Sequence, residues 1–377
     1  MNTPFRPQQI AIVGAGASGC LCAYFLLKAG FEVTIFDKGS PLRTLLPTGG
    51  GRCNLAHAEY DFKELAKNYP RGEKFLYSVF SKFSTYDTLS LFSELGVETY
   101  TQENGRIFPT SNSARDVREK ILSKIKKASI INENVLEVLP NKIKTCKAEY
   151  YFTDIVIATG GHAGYDIIKN LDIDIVTPKP SLVGLNTNNK APSGIVLKEV
   201  LSNDLKISDD LLFTHFGISG PLAYKISSIK ARENFPYKLS FDLYPKEIEL
   251  QKFLNNSPHK DVKNILVDFL PSGFVKYILG DLADIKAHKI DGKTRDLILD
   301  KIHNFDVIVT GTNKGEETVT AGGVKLNEIN PKTMEAKKYP HIYFIGEILD
   351  IDGFCGGFNL QNAWSTAFVA AEAISSY

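Results

Sequence analysis

Hydrophobic residues along this chain follow two alternating periods, and the opening segment shows both. Residues 10–13 form an unbroken apolar run, as a strand buried on both faces requires. The run breaks into Gly14, Gly16 and Gly19. Apolar positions then recur at helical spacing through Leu21, Phe25 and Leu26, and Gly30 supplies a stop. A second apolar strand covers residues 32–36. Residues 155–161, IVIATGG, predict a short buried strand ending in another glycine turn, and residues 342–346 predict a third strand. A glycine-dense stretch then leads into an apolar helix over residues 363–374, so the far end of the chain returns to the domain that its beginning opens.

Between these ends the pattern changes. Residues 73–95 carry two amphipathic stretches divided near Ser84, where Ser84 and Asp87 have the spacing of a helix-capping pair and Gly96 suits the stop. Val117, Ile121 and Ile125 share one face of a further helix within residues 113–127. Short strands are expected near residues 183–188, 211–214, 238–243 and 305–310, whereas residues 246–303 return to helical spacing through Val262, Leu266, Phe269 and Leu270. The fold class these patterns predict is α/β. A Rossmann-like nucleotide-binding domain spans residues 1–180 and 320–377. It is interrupted by a β-rich, barrel-like insert at 181–245 and 304–319, which carries a helical subdomain at 246–303.

Composition narrows the function classes. The 377 residues, 43% hydrophobic and 23% charged, exclude a mainly disordered chain. Lys+Arg number 44 against 43 Asp+Glu, so the clustered positive excess of a nucleic-acid binder is lacking and no nucleic-acid partner is expected. No uncharged apolar stretch is long enough to span a bilayer, and residues 1–9 lack the features of a signal peptide. Cys20, Cys22, Cys53, Cys146 and Cys355 form no paired CxxC motif, and the seven histidines stand apart. The expectation is a reduced, cytoplasmic protein without a disulfide framework or a metal site. A serine hydrolase is unsupported, because there is no GxSxG elbow.

The glycines carry the candidate chemistry. Gly14-x-Gly16-x-x-Gly19 sits between a strand and a helix: the first glycine suits a tight turn, the second a close approach of pyrophosphate, the third close packing of helix and sheet. The helix start then offers free N–H groups and the positive end of its dipole. Asp37 ends the second strand, where an acid accepts hydrogen bonds from ribose hydroxyls and disfavours a 2′-phosphate. Thr48-Gly49-Gly50-Gly51-Arg52-Cys53-Asn54 can form a nest of N–H groups beside a fixed cation, suited to a phosphate or an anionic ring edge. Near the C-terminus, Glu347 precedes Asp352-Gly353-Phe354-Cys355-Gly356-Gly357-Phe358-Asn359-Leu360-Gln361-Asn362. Gly356 and Gly357 lack side chains, so a ring could approach the backbone there while Asn359, Leu360 and Gln361 present the first helical N–H groups.

These motifs together, IVGAGASG, TGGGRCN, ATGG and GE(x)4DGFCGGFNLQNAW, resemble the two-dinucleotide-binding-domain flavoproteins, and more closely the BaiN/YhiN-like family of FAD-dependent flavoproteins, which includes aminoacetone-oxidase-like enzymes. Gly105-Arg106-Ile107-Phe108-Pro109 and residues 214–221, THFGISGP, are similar to motifs of the same family. The resemblance implies FAD as cofactor. Gly14, Ala15, Gly16, Ser18 and Gly19 would hold the pyrophosphate, and Asp37 with Lys38 the adenosine ribose. Val135 would meet the adenine, and Gly51, Arg52, Cys53 and Asn54 would run along the ribityl and flavin side. Ala158, Thr159, Gly160, Gly346, Asp352, Gly357, Asn359, Leu360 and Gln361 would complete the cofactor site, with Glu347 as the ribityl-binding acid.

On the substrate side the resemblance implies an FAD-dependent oxidoreductase acting by hydride transfer on a small molecule, either an amine or a conjugated, steroid-like acceptor with NAD(P)H as a transient reductant. A flavoprotein that binds RNA or a protein partner is the alternative from another class, and its mark would be a basic stripe on the insert. His215, in a glycine-flanked loop of the insert expected to point toward the flavin, is the candidate catalytic residue, as proton donor or substrate hydrogen-bond partner; a structural histidine is the alternative. Arg106 could bind an acidic substrate group, though a salt bridge is the plainer role. Cys53 and Cys355 are expected to be buried thiols filling space rather than a redox pair.

Overall fold

The computed structural model describes residues 9–161, 164–188, 191–313, 315 and 319–376. Its chain divides into one unit of Met1–Lys179 with Val319–Tyr377 and a second of Pro180–Thr318. In the first unit the apolar runs become β1 (Gln9–Val13), α1 (Ala17–Lys28), β2 (Glu32–Phe36), β3 (Ser129–Ile131), β4 (Asp154–Ile157), β5 (Glu335–Ala336) and β6 (Tyr339–Phe344). The sheet order is β5-β6-β4-β1-β2-β3. All pairings are parallel except β5 with β6. Residues from both ends of the chain thus share one sheet, and β4 is buried along its whole length, as a central parallel strand requires.

The last helix, α2 (Phe358–Ser375), packs along α1. Phe25 meets Phe368 edge to face at 5.3 Å, and Trp364, fully buried, meets Phe92 at 5.4 Å. The Trp364 indole N–H is not wasted in this core: it donates to the Leu55 carbonyl at 2.9 Å. Ser84 and Asp87 form the capping box that their spacing predicts, at the start of the helix Thr85–Glu94. Two three-stranded antiparallel sheets complete the unit. One joins Ala56–His57, Arg106–Pro109 and Thr99–Thr101, and the other Val135–Leu139, Lys142–Thr145 and Glu149–Tyr151.

The second unit contains a closed six-stranded antiparallel barrel, in the order Leu185–Thr187, Gly217–Ser219, Ile207–Phe213, Ile195–Ser202, Tyr237–Asp242 and Phe305–Thr312. Closure removes the exposed strand edges that a small sheet would otherwise present. Helices Leu250–Asn256, Val262–Leu266, Ser272–Leu279 and Gly292–His303 share its core, with Phe213 and Phe274 in ring contact at 4.6 Å. The α/β class with a β-rich insert is therefore the observed fold. The strand Ile195–Ser202 escapes periodicity because a bulge between Leu197 and Val200, with Glu199 at φ 54°, breaks its alternation. No helix among the described residues is long and apolar enough to cross a membrane.

Candidate cofactor site

The start of α1 is built by contacts that only glycine allows. A Cβ on Gly14 would lie 2.3 Å from the Ala158 carbonyl oxygen, and one on Gly19 would lie 2.0 Å from the carbonyl oxygen of Gly14. By contrast a Cβ on Gly16 would meet nothing within 4 Å, so this residue faces open space. Asp37 fastens the turn: its carboxylate accepts from the Ala15 N–H and the Gly39 N–H, both at 2.7 Å. The helix carries neither a side-chain cap nor an acid in its first turn, which leaves its opening N–H groups available to an anion.

Beside this turn lies a cleft of about 160 Å³. It gathers Gly14, Asp37, Lys38, Val135 and Thr159, residues far apart in sequence, together with Arg43, Glu133 and Ile167, which the sequence did not single out. Thr159 Oγ1 is buried without a hydrogen-bond partner among the described residues. So are Tyr165 Oη and Thr320 Oγ1. Glu347 stands next to Thr320, accepting its N–H at 2.8 Å. Gly161 touches both, since a Cβ there would lie 2.6 Å from Thr320 Cβ and 2.9 Å from Glu347 Oε1. Burial, reinforced by the Glu347 and Asp350 carboxylates, pushes the Tyr165 hydroxyl well above its ordinary range and keeps it a neutral donor. Ser18 packs on Gly346, whose N–H donates to Thr366 Oγ1 at 2.9 Å.

The TGGGRCN segment is a tight left-handed turn, with Gly49, Gly50 and Gly51 at φ 58°, 67° and 84°. Arg52 stacks over the Phe108 ring at 4.2 Å and donates to the Gly49 carbonyl at 3.2 Å, so its guanidinium is held in place. Cys53 is buried, and burial pushes its thiol up to about 12; it is a packing residue rather than a redox thiolate. Cys355 departs from the expectation of a buried thiol, because its loop turns it to solvent. Cys20 and Cys22 are buried in α1.

At the other end of the chain, one peptide is clamped from both sides. Oriented as its partners require, the Asn54 side-chain amide donates to the carbonyls of Ala56 and Ile107 at 3.0 and 3.1 Å and accepts from the Gly357 N–H at 3.0 Å. His57 Nδ1 lies 3.2 Å from the Gly356 carbonyl oxygen, the opposite side of the same peptide unit, and its ring stacks on Phe358 at 4.7 Å. Burial lowers the His57 pKa, so near neutral pH its Nδ1–H is the donor in this pair. Tyr69, fully buried, adds a bond from its hydroxyl to the Phe358 carbonyl at 2.6 Å. Arg71 forms a bidentate, buried ion pair with Asp352.

Several expected roles change here. Gly357 is not open to a ring: a Cβ there would lie 2.4 Å from the Ala56 carbonyl oxygen, so its missing side chain serves contact with the 54–57 segment. Gln361 does not present its N–H, which closes the first turn on the Gly357 carbonyl at 3.0 Å, and its buried side chain bonds Thr88 and Ser365. The Asn359 side chain is also committed, to both polar groups of the Gly353 backbone at 2.8 Å. What remains at the start of α2 is the uncapped backbone of Phe358, Asn359 and Leu360. Sequence reasoning missed His57, Tyr69 and Arg71, which hold this loop.

The site fits a dinucleotide. Backbone at Gly16, Gly50 and Gly160 faces open space, buried hydroxyls at Thr159, Tyr165 and Thr320 lack partners among the described residues, and two helix starts are uncapped. No cluster able to hold a metal ion occurs among the described residues. His215 belongs to the second unit, where it is exposed with its ring edge-on to Phe216 at 5.2 Å. Arg106 is half-buried in the first unit, on the strand residue paired with His57.

A mainly parallel sheet with a glycine-led, uncapped helix at each end of the chain defines a Rossmann-type dinucleotide-binding protein. The chain belongs to the family described as HI0933-like protein Rossmann domain, matched over residues 8–373; this is the BaiN/YhiN-like family of FAD-dependent oxidoreductases. It is 30% identical over 398 residues to the ribosomal RNA dihydrouridine synthase of Escherichia coli (strain K12), covering 96% of each chain. It is 25% identical over 412 residues to the 3-dehydro-bile acid delta(4,6)-reductase of Clostridium scindens, covering 97% of this chain and 98% of that one. The solved 3-ketosteroid delta1-dehydrogenase from Sterolibacterium denitrificans has a TM-score of 0.54 at 12% identity, covering 98% of this chain and all of that one (100%), a likeness of fold.

Proposed function

We propose that this chain is an FAD-dependent reductase of a carbon–carbon double bond conjugated to a carbonyl, and that its substrate is the uracil base of RNA. The reading is supported by the two relatives, whose names describe saturation of such a bond, in uridine and in a 3-keto steroid skeleton. The RNA enzyme has the higher identity of the two. The structural observation that supports the flavin part of this reading is the start of α2, where a clamped peptide and three uncapped residues fix the positive end of a helix dipole.

In this reading Gly14, Ala15, Gly16, Ser18 and Gly19 hold the pyrophosphate on the N–H groups of α1. Asp37 and Lys38 hold the adenosine ribose, Val135 and Thr159 face the adenine, and Glu347 takes the ribityl chain. Gly51 and Arg52 border the ring, whereas Asn54 and His57 fix the peptide that leads into the α2 N–H groups facing it. Bound FAD supplies hydride transfer. Saturating the double bond consumes one hydride equivalent, for which NAD(P)H is the source, and one proton, which we assign to His215. Such chemistry needs positioning more than a strong base, consistent with a site rich in backbone donors.

The test is direct. The purified chain is reduced anaerobically with NADPH or NADH and incubated with ribosomal RNA lacking dihydrouridine, and nucleosides are analysed by mass. Gain of two hydrogens on uridine is expected. Reduction of a conjugated steroid but not of RNA would replace the substrate, and flavin reduction by aminoacetone with rapid reoxidation by oxygen would overturn the reductase reading altogether. His215→Ala should retain FAD and slow turnover; unchanged kinetics would make His215 structural.

A further inference from the structure

The near-zero net charge of the chain conceals which cations in the helical part of the second unit are paired and which are not. Several cations there are neutralised one by one: Lys252 by Glu249, Lys286 by Asp261, Arg295 by Asp296, and Lys263 by Asp284. Lys260, Lys276, Lys289, Lys293 and Lys301 have no carboxylate partner among the described residues, and of these Lys260 and Lys289 lie on two adjoining segments. The backbone brings them together, because residues 258–262 run beside residues 285–288. Asp261 pairs antiparallel with Lys286, the Ala287 N–H donates to the Lys260 carbonyl at 2.9 Å, and the His288 N–H donates to the Pro258 carbonyl at 3.0 Å.

Two His-Lys pairs result, one from each segment. The rings of His259 and His288 lie 5.7 Å apart, and His259, Lys260, His288 and Lys289 are all exposed. His288 Nδ1 is tied to the Pro258 carbonyl at 2.8 Å, which fixes that ring and turns its Nε2 edge away from the contact. Asp291, two residues past Lys289, forms no ion pair with it among the described residues; its carboxylate caps the next helix on the Thr294 N–H at 2.8 Å. Two unpaired ammonium groups beside two imidazoles offer several donors to closely spaced anions, and a polynucleotide backbone supplies such anions at regular intervals.

We propose that the surface carrying His259, Lys260, His288 and Lys289 docks the phosphate backbone of RNA. It rests on the RNA reading of the substrate given above. The contact is to phosphate, so it fixes where the RNA lies without reading its sequence.

The experiment compares the FAD-loaded full chain with a K260E/K289E variant and with K260R/K289R, using a uridine-containing RNA oligonucleotide and fluorescence anisotropy over a salt series. K260E/K289E should bind at least about tenfold more weakly at low salt. Its slope of log affinity against log salt should shrink by roughly 1.4, the loss of two single-strand phosphate contacts. K260R/K289R should bind as the wild type does. A control with the same change of charge, K198E/K238E, replaces lysines that are ion-paired to Asp210 and Asp306 on the barrel and should affect binding little. Wild-type affinity and slope in K260E/K289E, with an unaltered melting curve, overturn the proposal, as does an equal loss in the control. Failure of the FAD-loaded wild type to hold RNA at low salt would instead remove the RNA reading itself.

Discussion

Replacing His57 with leucine removes one donor from the peptide that enters α2, while the Asn54 grip on the other side of that peptide stays. The His57–Gly356 contact is a single hydrogen bond of 3.2 Å, so its loss should cost the fold about 0.5–1.5 kcal/mol, with a further loss from the stacking on Phe358 at 4.7 Å. The functional effect is separate. A helix start aimed at a developing negative charge contributes about 0.3–1 kcal/mol, up to ~2 kcal/mol when partly buried. If releasing one side of the clamp forfeits ~1 kcal/mol of that, the two-electron potential of the flavin falls by roughly 20 mV. The measurement is anaerobic, dye-equilibrated reduction of the FAD-loaded protein. His57→Leu should be more negative than the wild type, and His57→Asn, whose amide can replace the Nδ1–H donor, should recover most of the shift. A His57→Leu protein that retains FAD at an unchanged or higher potential would refute the reasoning.

The same residue gives a pH signature. Burial is the main cause that holds the imidazole below its ordinary 6.5; Arg106 acts in the same direction, and the Gly356 bond and Glu59 oppose it. The unfolded chain therefore takes up the proton first as pH falls. The stability this implies is fully present above pH 6.5 and is lost as pH drops through the lower folded value. Wild-type protein should lose more of its Tm between about pH 7.5 and about pH 5.5 than His57→Leu does, by differential scanning calorimetry. Equal losses would mean that the imidazole titrates normally.

Gly16→Val should give folded but colourless protein, since its Cβ enters open space where a ligand would approach; Gly357→Val should instead fail to fold or melt early, because the Ala56 carbonyl stands 2.4 Å away. Full flavin occupancy in the first, or a normal melt in the second, would reverse that division. Arg71→Leu strands the fully buried Asp352 carboxylate and should cost about 3–5 kcal/mol in urea unfolding, with a smaller loss in the Arg71→Leu/Asp352→Leu double variant. Alkylation of the native protein, followed by mass spectrometry, should label the exposed Cys146 and Cys355 and spare Cys20, Cys22 and Cys53, whose burial disfavours the thiolate.

Reading the sequence worked where a local pattern is also the structural cause. The β1-α1-β2 unit combines a change of hydrophobic period with glycines whose absent side chains are required by contacts a few residues away or across one strand. The capping box at Ser84 is equally local. Elements fail to announce themselves when they are too short or interrupted. Ala56–His57 has only 2 residues in its sheet, and the bulge at Glu199 disrupts the alternation of its strand. The balance of charge is a property of the whole chain, so the juxtaposed lysines of the helical part become visible only once the backbone contacts and the partners of the others are known.

The glycine-dense entry to α2 shows a different limit. Its residue types point to a cofactor, yet sequence cannot say which polar groups the protein itself consumes. Asp352 reads as a ligand until Arg71, 281 residues away, is found on it, and Asn359 and Gln361 are likewise taken up by their neighbours. The consequence is chemical. With these side chains spent on holding the loop, the groups that would face a ring bound as proposed above are backbone N–H donors, which do not titrate and which cost nothing to reorganise as charge develops. Such a site can stabilise a reduced cofactor at constant strength over a wide range of pH. Among the groups clamping the peptide, only His57 can change its charge, so whatever pH dependence the clamp adds to that of the cofactor itself should turn on that one side chain.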